Sequence, residues 1–197
     1  NEIPYVDITL WWLDKLGIKY ENNNYKSFYI KGGQAYNAMN ITIPGDFSSA
    51  TFFAVQAAIS NGEFILDNLD INDPQGDKAV FSILEDMGAS VKVQDQSIII
   101  KGNGLKGREI DMNAIPDALP AMAVAGCFAE GETRLVNVPQ ARLKETDRIK
   151  VMCEQLSKMG ADIKELEDGL VIKKSKLKGC SVRGYDDHRI VMALSLA

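Results

Sequence analysis

Residues 80–101 read VFSILEDMGASVKVQDQSIIIK. Residues 149–173, IKVMCEQLSKMGADIKELEDGLVIK, show the same pattern. In both stretches apolar residues at three-and-four spacing predict a helix, and a glycine after a methionine, Gly88 or Gly160, is typical of a helix end. Alternating apolar residues then predict two short strands joined by a polar turn. With Gly17 in a similar setting, the glycines recur at steps of 71 and 72 residues. The chain therefore contains an internal repeat.

A second class of helix is predicted at residues 48–60 and 118–130, which are apolar on several faces. Such helices are buried among other elements, because no face suits water. Each runs into a Gly-Glu pair and then into a predicted strand, at 64–69 or 133–138. The strands predicted after the three glycines are 18–20, 27–31, 89–93, 97–101, 161–164 and 169–173.

The repeating unit is predicted to be strand, helix, strand, helix, strand, strand, over about 70 residues. Residues 41–102 and 109–173 form complete units in this scheme. Residues 5–33 are the second half of another, and residues 181–197 open a further one, with a buried helix from Asp187. Units of this length favour compact packing of sheets around shared helices, a mixed α/β (α+β) fold.

Composition and charge exclude several classes of protein. The 197 residues are 46% hydrophobic and 25% charged, which is ordinary for a globular chain. A net charge of −5 argues against general nucleic-acid binding, which needs clustered Lys and Arg. The longest apolar stretch, 118–129, is shorter than the ~20 residues of a membrane span. Three scattered cysteines form neither a metal motif nor a disulfide framework, so a cytoplasmic location is expected.

The ends of the sequence predict a piece of a longer protein. There is no initiator Met, and the last apolar helical pattern, residues 190–197, carries no stop signal.

Each buried helix is introduced by a polar segment. In residues 44–50, PGDFSSA, either Asp46 or Ser48 can cap the following helix. In residues 115–121, IPDALPA, the local interpretation of Asp117 is also an N-cap.

Two further segments carry more charge. Residues 142–148, RLKETDR, pack five charges into seven positions, and either Thr146 or Asp147 can start the next helix. Residues 184–189, GYDDHR, contain the sole histidine, His188, before an apolar helix. A lone histidine is more often structural than catalytic, but a helix N-terminus also favours anions.

Because the four segments occupy matching places in the repeat, we expect them to gather at one end of the fold. Lys144, Arg148 and Arg189 would then lie beside Asp117 and Glu145. Arg and Lys bind phosphate and carboxylate, and carboxylates held among cations can transfer protons. The pattern predicts an anion site with acid–base groups, and no metal or nucleotide motif accompanies it.

Five motifs together resemble those of the enolpyruvyl transferase family, and the resemblance covers nearly the whole chain. They are PYVDITL (4–10), GDFSSA (45–50), IPDA (115–118), KETDR (144–148) and YDDHR (185–189).

The resemblance implies an enzyme of two domains, each an inside-out α/β barrel of three repeated units, with the substrates in the cleft between them. By this comparison residues 1–42 are a remnant of the last unit of the N-terminal domain. Residues 43–197 are the C-terminal domain, with two complete units and the start of a third. The hinge is expected near Pro44, Gly45 and Asp46.

The implied reaction transfers the enolpyruvyl group of phosphoenolpyruvate to the 5-hydroxyl of shikimate 3-phosphate and releases phosphate. It belongs to the shikimate pathway of aromatic amino acid biosynthesis and requires no metal or organic cofactor. The expected partners are the two substrates, with neither nucleic acid nor membrane, and the complete enzyme is expected to be a monomer. Glyphosate is expected to compete for the phosphoenolpyruvate site.

Three residues carry the implied proton chemistry. Asp117 would bind the shikimate hydroxyls and take part in proton transfer, Lys144 would act as base near the attacking hydroxyl, and Glu145 is a candidate proton donor to the methylene carbon. Which carboxylate performs which step stays open.

Seven residues carry the implied binding. Arg148, His188 and Arg189 would hold the carboxylate and phosphate of phosphoenolpyruvate. Tyr5 and Gln140, with Asp117 and Lys144, would line the shikimate 3-phosphate pocket. Some family members have Asn at the position of Gln140, so this contact departs from the pattern.

Two alternatives were weighed against this function. A sister enzyme, UDP-N-acetylglucosamine 1-carboxyvinyltransferase, uses a cysteine on a loop, whereas Cys127 and Cys153 fall in predicted helices and Cys180 lies beside a strand. A non-catalytic repeat scaffold would not require acid–base groups at matching unit ends.

We predict that the 197-residue chain alone is inactive or nearly so, because catalysis of this type requires two domains to close around the ligands. Measurable phosphate release from phosphoenolpyruvate and shikimate 3-phosphate by the purified chain would contradict this.

Overall fold

The computed structural model describes residues 2–60 and 62–197, and it shows a mixed α/β fold. The helices are α1 (Ile3–Lys15), α2 (Phe47–Ile59), α3 (Ala79–Met87), α4 (Leu119–Phe128), α5 (Arg148–Lys158) and α6 (His188–Leu194). The strands are β1 (Tyr20–Asn22), β2 (Phe28–Ile30), β3 (Glu63–Leu66), β4 (Ser90–Gln94), β5 (Ser97–Lys101), β6 (Glu109–Asp111), β7 (Glu132–Val136), β8 (Asp162–Leu166) and β9 (Gly169–Lys173). Short 3₁₀ turns occupy Gly76–Lys78, Pro116–Ala118 and Pro139–Leu143.

The repeated glycines end helices, as predicted. Gly88 follows α3 with a φ of 119°, and Gly160 follows α5 with a φ of 96°, a region that other residues rarely adopt. The asparagine after each unit's second strand serves a related purpose. Asn68 and Asn137 have φ values of 61° and 59°, and Asn is among the few other residues that tolerate this conformation.

Three sheets follow the repeat. A hairpin pairs β1 with β2, a three-stranded antiparallel sheet has the order β3-β5-β4, and a four-stranded sheet has the order β6-β7-β9-β8. All six strands predicted after the glycines are present, shifted by up to two residues.

The prediction of an opening strand in every unit is wrong. Among the described residues it forms only as β6, which pairs in parallel with β7. Near residues 41–43 the described chain makes isolated bonds in place of a ladder: the Gly45 amide donates to the Asn68 carbonyl, and the Asn68 side chain donates to the Ile43 carbonyl. Residues 181–184 are irregular too. A strand requires repeated pairing with a neighbour, and periodicity alone does not supply one.

Helix α4 is the centre of the fold. Every residue from Leu119 to Cys127 is buried, and the helix packs against α2, α5, α6, β7 and β9. Gly126 permits the close packing, since a Cβ there would lie 3.2 Å from side-chain atoms of Ile172 and Thr133. Within residues 2–60 and 62–197, every helix is too short or too polar to cross a membrane. Burial of α4 fixes the segment before it, where Asp117 lies.

Candidate active site

Three aspartates cap the helices that surround the site. Asp46 accepts hydrogen bonds from the Ser48 and Ser49 amides at the start of α2. Asp147 accepts from the Lys150 amide in α5, and Asp187 accepts from the Arg189 amide in α6. The alternatives left open by the sequence therefore resolve to Asp46 and Asp147.

Asp117 does not cap α4, so the local interpretation of this residue is wrong. The N-cap position belongs to Ala118, and Asp117 lies in the preceding 3₁₀ turn. Its carboxylate faces three cations instead. Oδ1 lies 2.8 Å from Arg148 Nη1 and 3.7 Å from Lys144 Nζ, and Oδ2 lies 3.1 Å from Arg189 Nη2. Attraction to these three cations, and not a hydrogen bond to the helix N-terminus, determines where the Asp117 carboxylate lies.

Arg148 is the structural centre of the cluster. Its side chain is 1% exposed, and it bridges three carboxylates: Asp187 at 2.8 Å, Asp117 at 2.8 Å and Glu145 at 2.6 Å. A second bond to Asp187, at 3.3 Å, brings the total to four. A guanidinium has five N–H donors, so Arg148 has little capacity left for a ligand.

The buried pair of Arg148 and Asp187 is ionised. Burial alone would raise the pKa of Asp187, but the hydrogen bonds and charge of Arg148 outweigh it and lower that pKa. Burial likewise opposes the charged form of Arg148, and the hydrogen bond and charge of Asp187 reverse this and raise its pKa.

The first segment of the chain reaches the same place. Lys144 Nζ lies 2.7 Å from Glu2 Oε1 and 5.6 Å from the centre of the Tyr5 ring. The Tyr5 hydroxyl is buried without a hydrogen-bond partner of standard geometry. Burial, followed by the charges of Asp77 and Asp117, raises its pKa, so it remains a neutral phenol. α1 therefore contributes an aromatic face and a hydroxyl to the cluster.

Two predicted binding residues lie at the margin. Gln140 donates to the Asn113 carbonyl at 3.0 Å, and its Oε1 is buried without a partner. His188 is exposed, and in the described part of the chain its side chain makes neither an ion pair nor a hydrogen bond. The structure thus gathers Tyr5, Asp117, Lys144, Glu145, Arg148 and Arg189 and leaves Gln140 and His188 beside them.

Glu2 and Asp77 also belong to the cluster, although their sequence context did not predict it. No local pattern marks Glu2, whose partner is 142 residues away. Asp77 carries a weak signal, since it follows a glycine just before α3. That turn is tightly packed: a Cβ on Gly76 would lie 2.8 Å from Pro4 Cβ and 2.9 Å from the Ala114 carbonyl oxygen.

Asp77 is 5% exposed, and its pKa is raised to about 6, first by burial and then by the charge of Asp117. Arg189 and the nearby Ser48 hydroxyl oppose the shift. A carboxyl with this pKa is half protonated near pH 6, well above the usual range for Asp.

Replacing Asp77 with Asn is expected to change how stability depends on pH. A folded-state pKa of about 6 lies above the unfolded value of 3.8, so the ionised carboxyl destabilises the fold at pH 7. The wild-type free energy of unfolding should gain up to about 3 kcal/mol from this group as the pH falls from 7 to 4. Urea unfolding at several pH values should show a flatter profile for Asp77→Asn. Parallel profiles for the two proteins would contradict this.

Comparisons with known proteins identify first the fold and then the family of this chain. The solved structure of the enolpyruvyl transferase NikO from Streptomyces tendae is 17% identical, with a TM-score of 0.72 over 98% of this chain and 46% of that chain. At this identity the likeness establishes the fold. The structure of EPSP synthase from Acinetobacter baumannii is 33% identical, with a TM-score of 0.83 over 95% of this chain and 46% of that one.

The family follows from the sequence. The model for EPSP synthase (3-phosphoshikimate 1-carboxyvinyltransferase) matches residues 1–197, so the chain belongs to the EPSP synthase family. The 3-phosphoshikimate 1-carboxyvinyltransferases of Acetivibrio thermocellus and Ruminiclostridium cellulolyticum are 78% and 73% identical over all 197 residues. The chain spans 47% of the length of each of these relatives.

Proposed function

We propose that the complete protein containing this chain transfers the enolpyruvyl group of phosphoenolpyruvate to the 5-hydroxyl of shikimate 3-phosphate and releases phosphate. One observation supports this most: Asp117 lies within 4 Å of cationic groups of Lys144, Arg148 and Arg189. Two anionic substrates require cations, and the reaction requires a base for the hydroxyl and an acid for the methylene carbon. The cluster supplies all of these, and the family relationship supports the same chemistry.

Arg148 and Arg189 differ in their hydrogen bonds and ion pairs, and this difference indicates different roles. Arg148 uses four of its donors on carboxylates and chiefly holds Asp117, Glu145 and Asp187 in place. Arg189 has a single ion pair among the described residues, to Asp117. Its remaining donors make it the better candidate to bind the carboxylate or phosphate of phosphoenolpyruvate, with exposed His188 next to it.

The candidate acid–base groups are Lys144, Glu145 and Asp117. Lys144 Nζ, held between Glu2 and Asp117, is the candidate base for the shikimate 5-hydroxyl. Glu145, half exposed and bound to Arg148, is the candidate donor to the methylene carbon. Asp117 would bind the shikimate hydroxyls and share the proton transfer, while Tyr5 and Gln140 would line the same pocket.

The domain boundary belongs to this proposal. Residues 1–42 would be part of one domain and residues 43–197 part of the other. The contacts of Lys144 with Glu2 and Tyr5 then join the two. Closure of the domains would place the substrates in a water-excluded cleft, where glyphosate would compete with phosphoenolpyruvate. A cytoplasmic monomer is part of the same proposal, and the three free cysteines fit a reducing compartment.

Two of the three cysteines also weigh against the sister transferase, whereas Cys180 is exposed in an irregular segment and does not discriminate. Cys127 is buried in α4, and burial raises its pKa to about 12. Burial raises the pKa of Cys153 as well. A nucleophilic or acid-catalytic thiol requires the opposite, an accessible group of lowered pKa.

Calorimetry of the complete protein separates the candidates. We expect shikimate 3-phosphate to bind and UDP-N-acetylglucosamine to give no heat of binding. Binding of the UDP sugar would favour the sister enzyme. Failure of a folded protein to bind either would favour a scaffold.

A further inference from the structure

Asp77 is a buried carboxyl without a cation of its own. It is 5% exposed, and within residues 2–60 and 62–197 its Oδ1 has no hydrogen-bond partner. Among the described residues, the cation that influences it is Arg189, which is paired with Asp117 at 3.1 Å. Buried charges are normally paired, and a buried polar atom without a partner requires an explanation.

Charged and polar groups from four elements are electrostatically coupled to Asp77. They are Tyr5 on α1, Asp46 and Ser48 at the start of α2, Asp117 before α4, and Arg189 on α6. Lys78, on the same turn as Asp77, donates to the carbonyls of Ile71 and Asp73 instead. Asp77 therefore shares one arginine with another carboxylate.

Unpartnered polar atoms adjoin the same place. The hydroxyls of Ser48 and Tyr5, like Asp77 Oδ1, are buried without partners of standard geometry in the part of the chain that the structure describes. Both residues lie close enough to Asp77 for their charges or dipoles to be coupled to it. This part of the site is polar and closed, and an added negative charge there would act through little solvent.

We propose that Asp77 is a positioning residue that takes up one proton from solvent when phosphoenolpyruvate binds at Arg189. The inference rests on the proposed function. A bound anion draws on the charge of Arg189 and repels the Asp77 carboxylate, which has no other cation to stabilise it. Protonation removes that repulsion and leaves Arg189 to the ligand and Asp117. Binding of phosphoenolpyruvate then weakens as the pH rises and deprotonates Asp77.

The test compares the complete wild-type enzyme with Asp77→Asn, which keeps the shape and removes the charge. The KM for phosphoenolpyruvate is measured at saturating shikimate 3-phosphate from pH 5 to 8.5. We expect equal KM values at pH 5 and a KM about 3- to 10-fold lower for Asp77→Asn at pH 8, because each unit of pKa change on binding is worth tenfold. Titration of the substrate phosphate affects both proteins and cancels in the ratio.

Ser48→Ala is the second variant. The hydroxyl lowers the pKa of Asp77, so its removal should move the onset of the wild-type rise in KM to higher pH. The decisive quantity is the KM of Asp77→Asn divided by the wild-type KM. If this ratio is the same at every pH, whether it equals one or shows the same loss throughout, the proposal is overturned and Asp77 has a structural role. Absence of wild-type activity at every pH would instead overturn the proposed function.

Discussion

Replacing Arg148 with methionine is expected to lower the free energy of unfolding by about 3–5 kcal/mol, the cost of leaving a buried charge unpaired. Asp187 is 0% exposed and depends on Arg148 for its ion pair. Asp117 and Glu145 lose a partner as well. Methionine fills a similar volume, so the loss reports charge and hydrogen bonding more than packing.

Urea denaturation of the two proteins at pH 7 measures this effect. The matched control is Arg134→Met, which breaks two ion pairs of exposed side chains, to Glu109 and Glu132, and should cost at most about 1 kcal/mol. Arg148→Lys should fall between the two, because Lys keeps the charge but not the forked geometry. Equal, small losses for Arg148→Met and Arg134→Met would show that the cluster does not organise the site.

The pair should also give the wild-type protein an acid-sensitive component of stability. The pKa of Asp187 is lowered in the fold, so its contribution is complete above the unfolded value of 3.8 and is lost as the pH falls through the lower folded value. Arg148→Met should lack this component.

Asp117→Asn in the complete enzyme is expected to lower kcat about 100- to 10,000-fold, the usual contribution of a general acid–base group. Asn keeps one oxygen acceptor but removes the charge that faces Lys144, Arg148 and Arg189. Steady-state release of phosphate measures the loss.

The control for this variant is Asp86→Asn, which removes an exposed carboxylate paired with Arg108. It should leave kcat unchanged. An Asp117→Asn enzyme with normal kcat and only a raised KM would restrict Asp117 to ground-state binding.

The regular parts of the fold were predictable because their determinants are local. The left-handed positions of Gly88 and Gly160, the uniform apolarity of α4 and the alternation in β5 and β9 each specify structure within a few residues. The opening strands were overpredicted because a strand also depends on a partner elsewhere in the chain.

Most residues of the site could be predicted from the sequence, but the contacts between them could not. Matching places in the repeat indicated that Asp117, Arg148 and Arg189 would meet. The local rule for a helix start nevertheless favoured a cap at Asp117, whose partners Arg148 and Arg189 lie 31 and 72 residues further along the chain. Arg148 uses four of its hydrogen-bond donors because three carboxylate side chains lie in the right positions together. Asp77 stood out only when burial and neighbours from four elements were known.

Assay of the complete protein with phosphoenolpyruvate and shikimate 3-phosphate, following phosphate and the enolpyruvyl product by mass spectrometry, tests the central claim most directly. We predict equal amounts of phosphate and product, formed only when both substrates are present and nearly abolished by Asp117→Asn. A folded protein that released no phosphate, or released it without shikimate 3-phosphate, would contradict the proposed transfer.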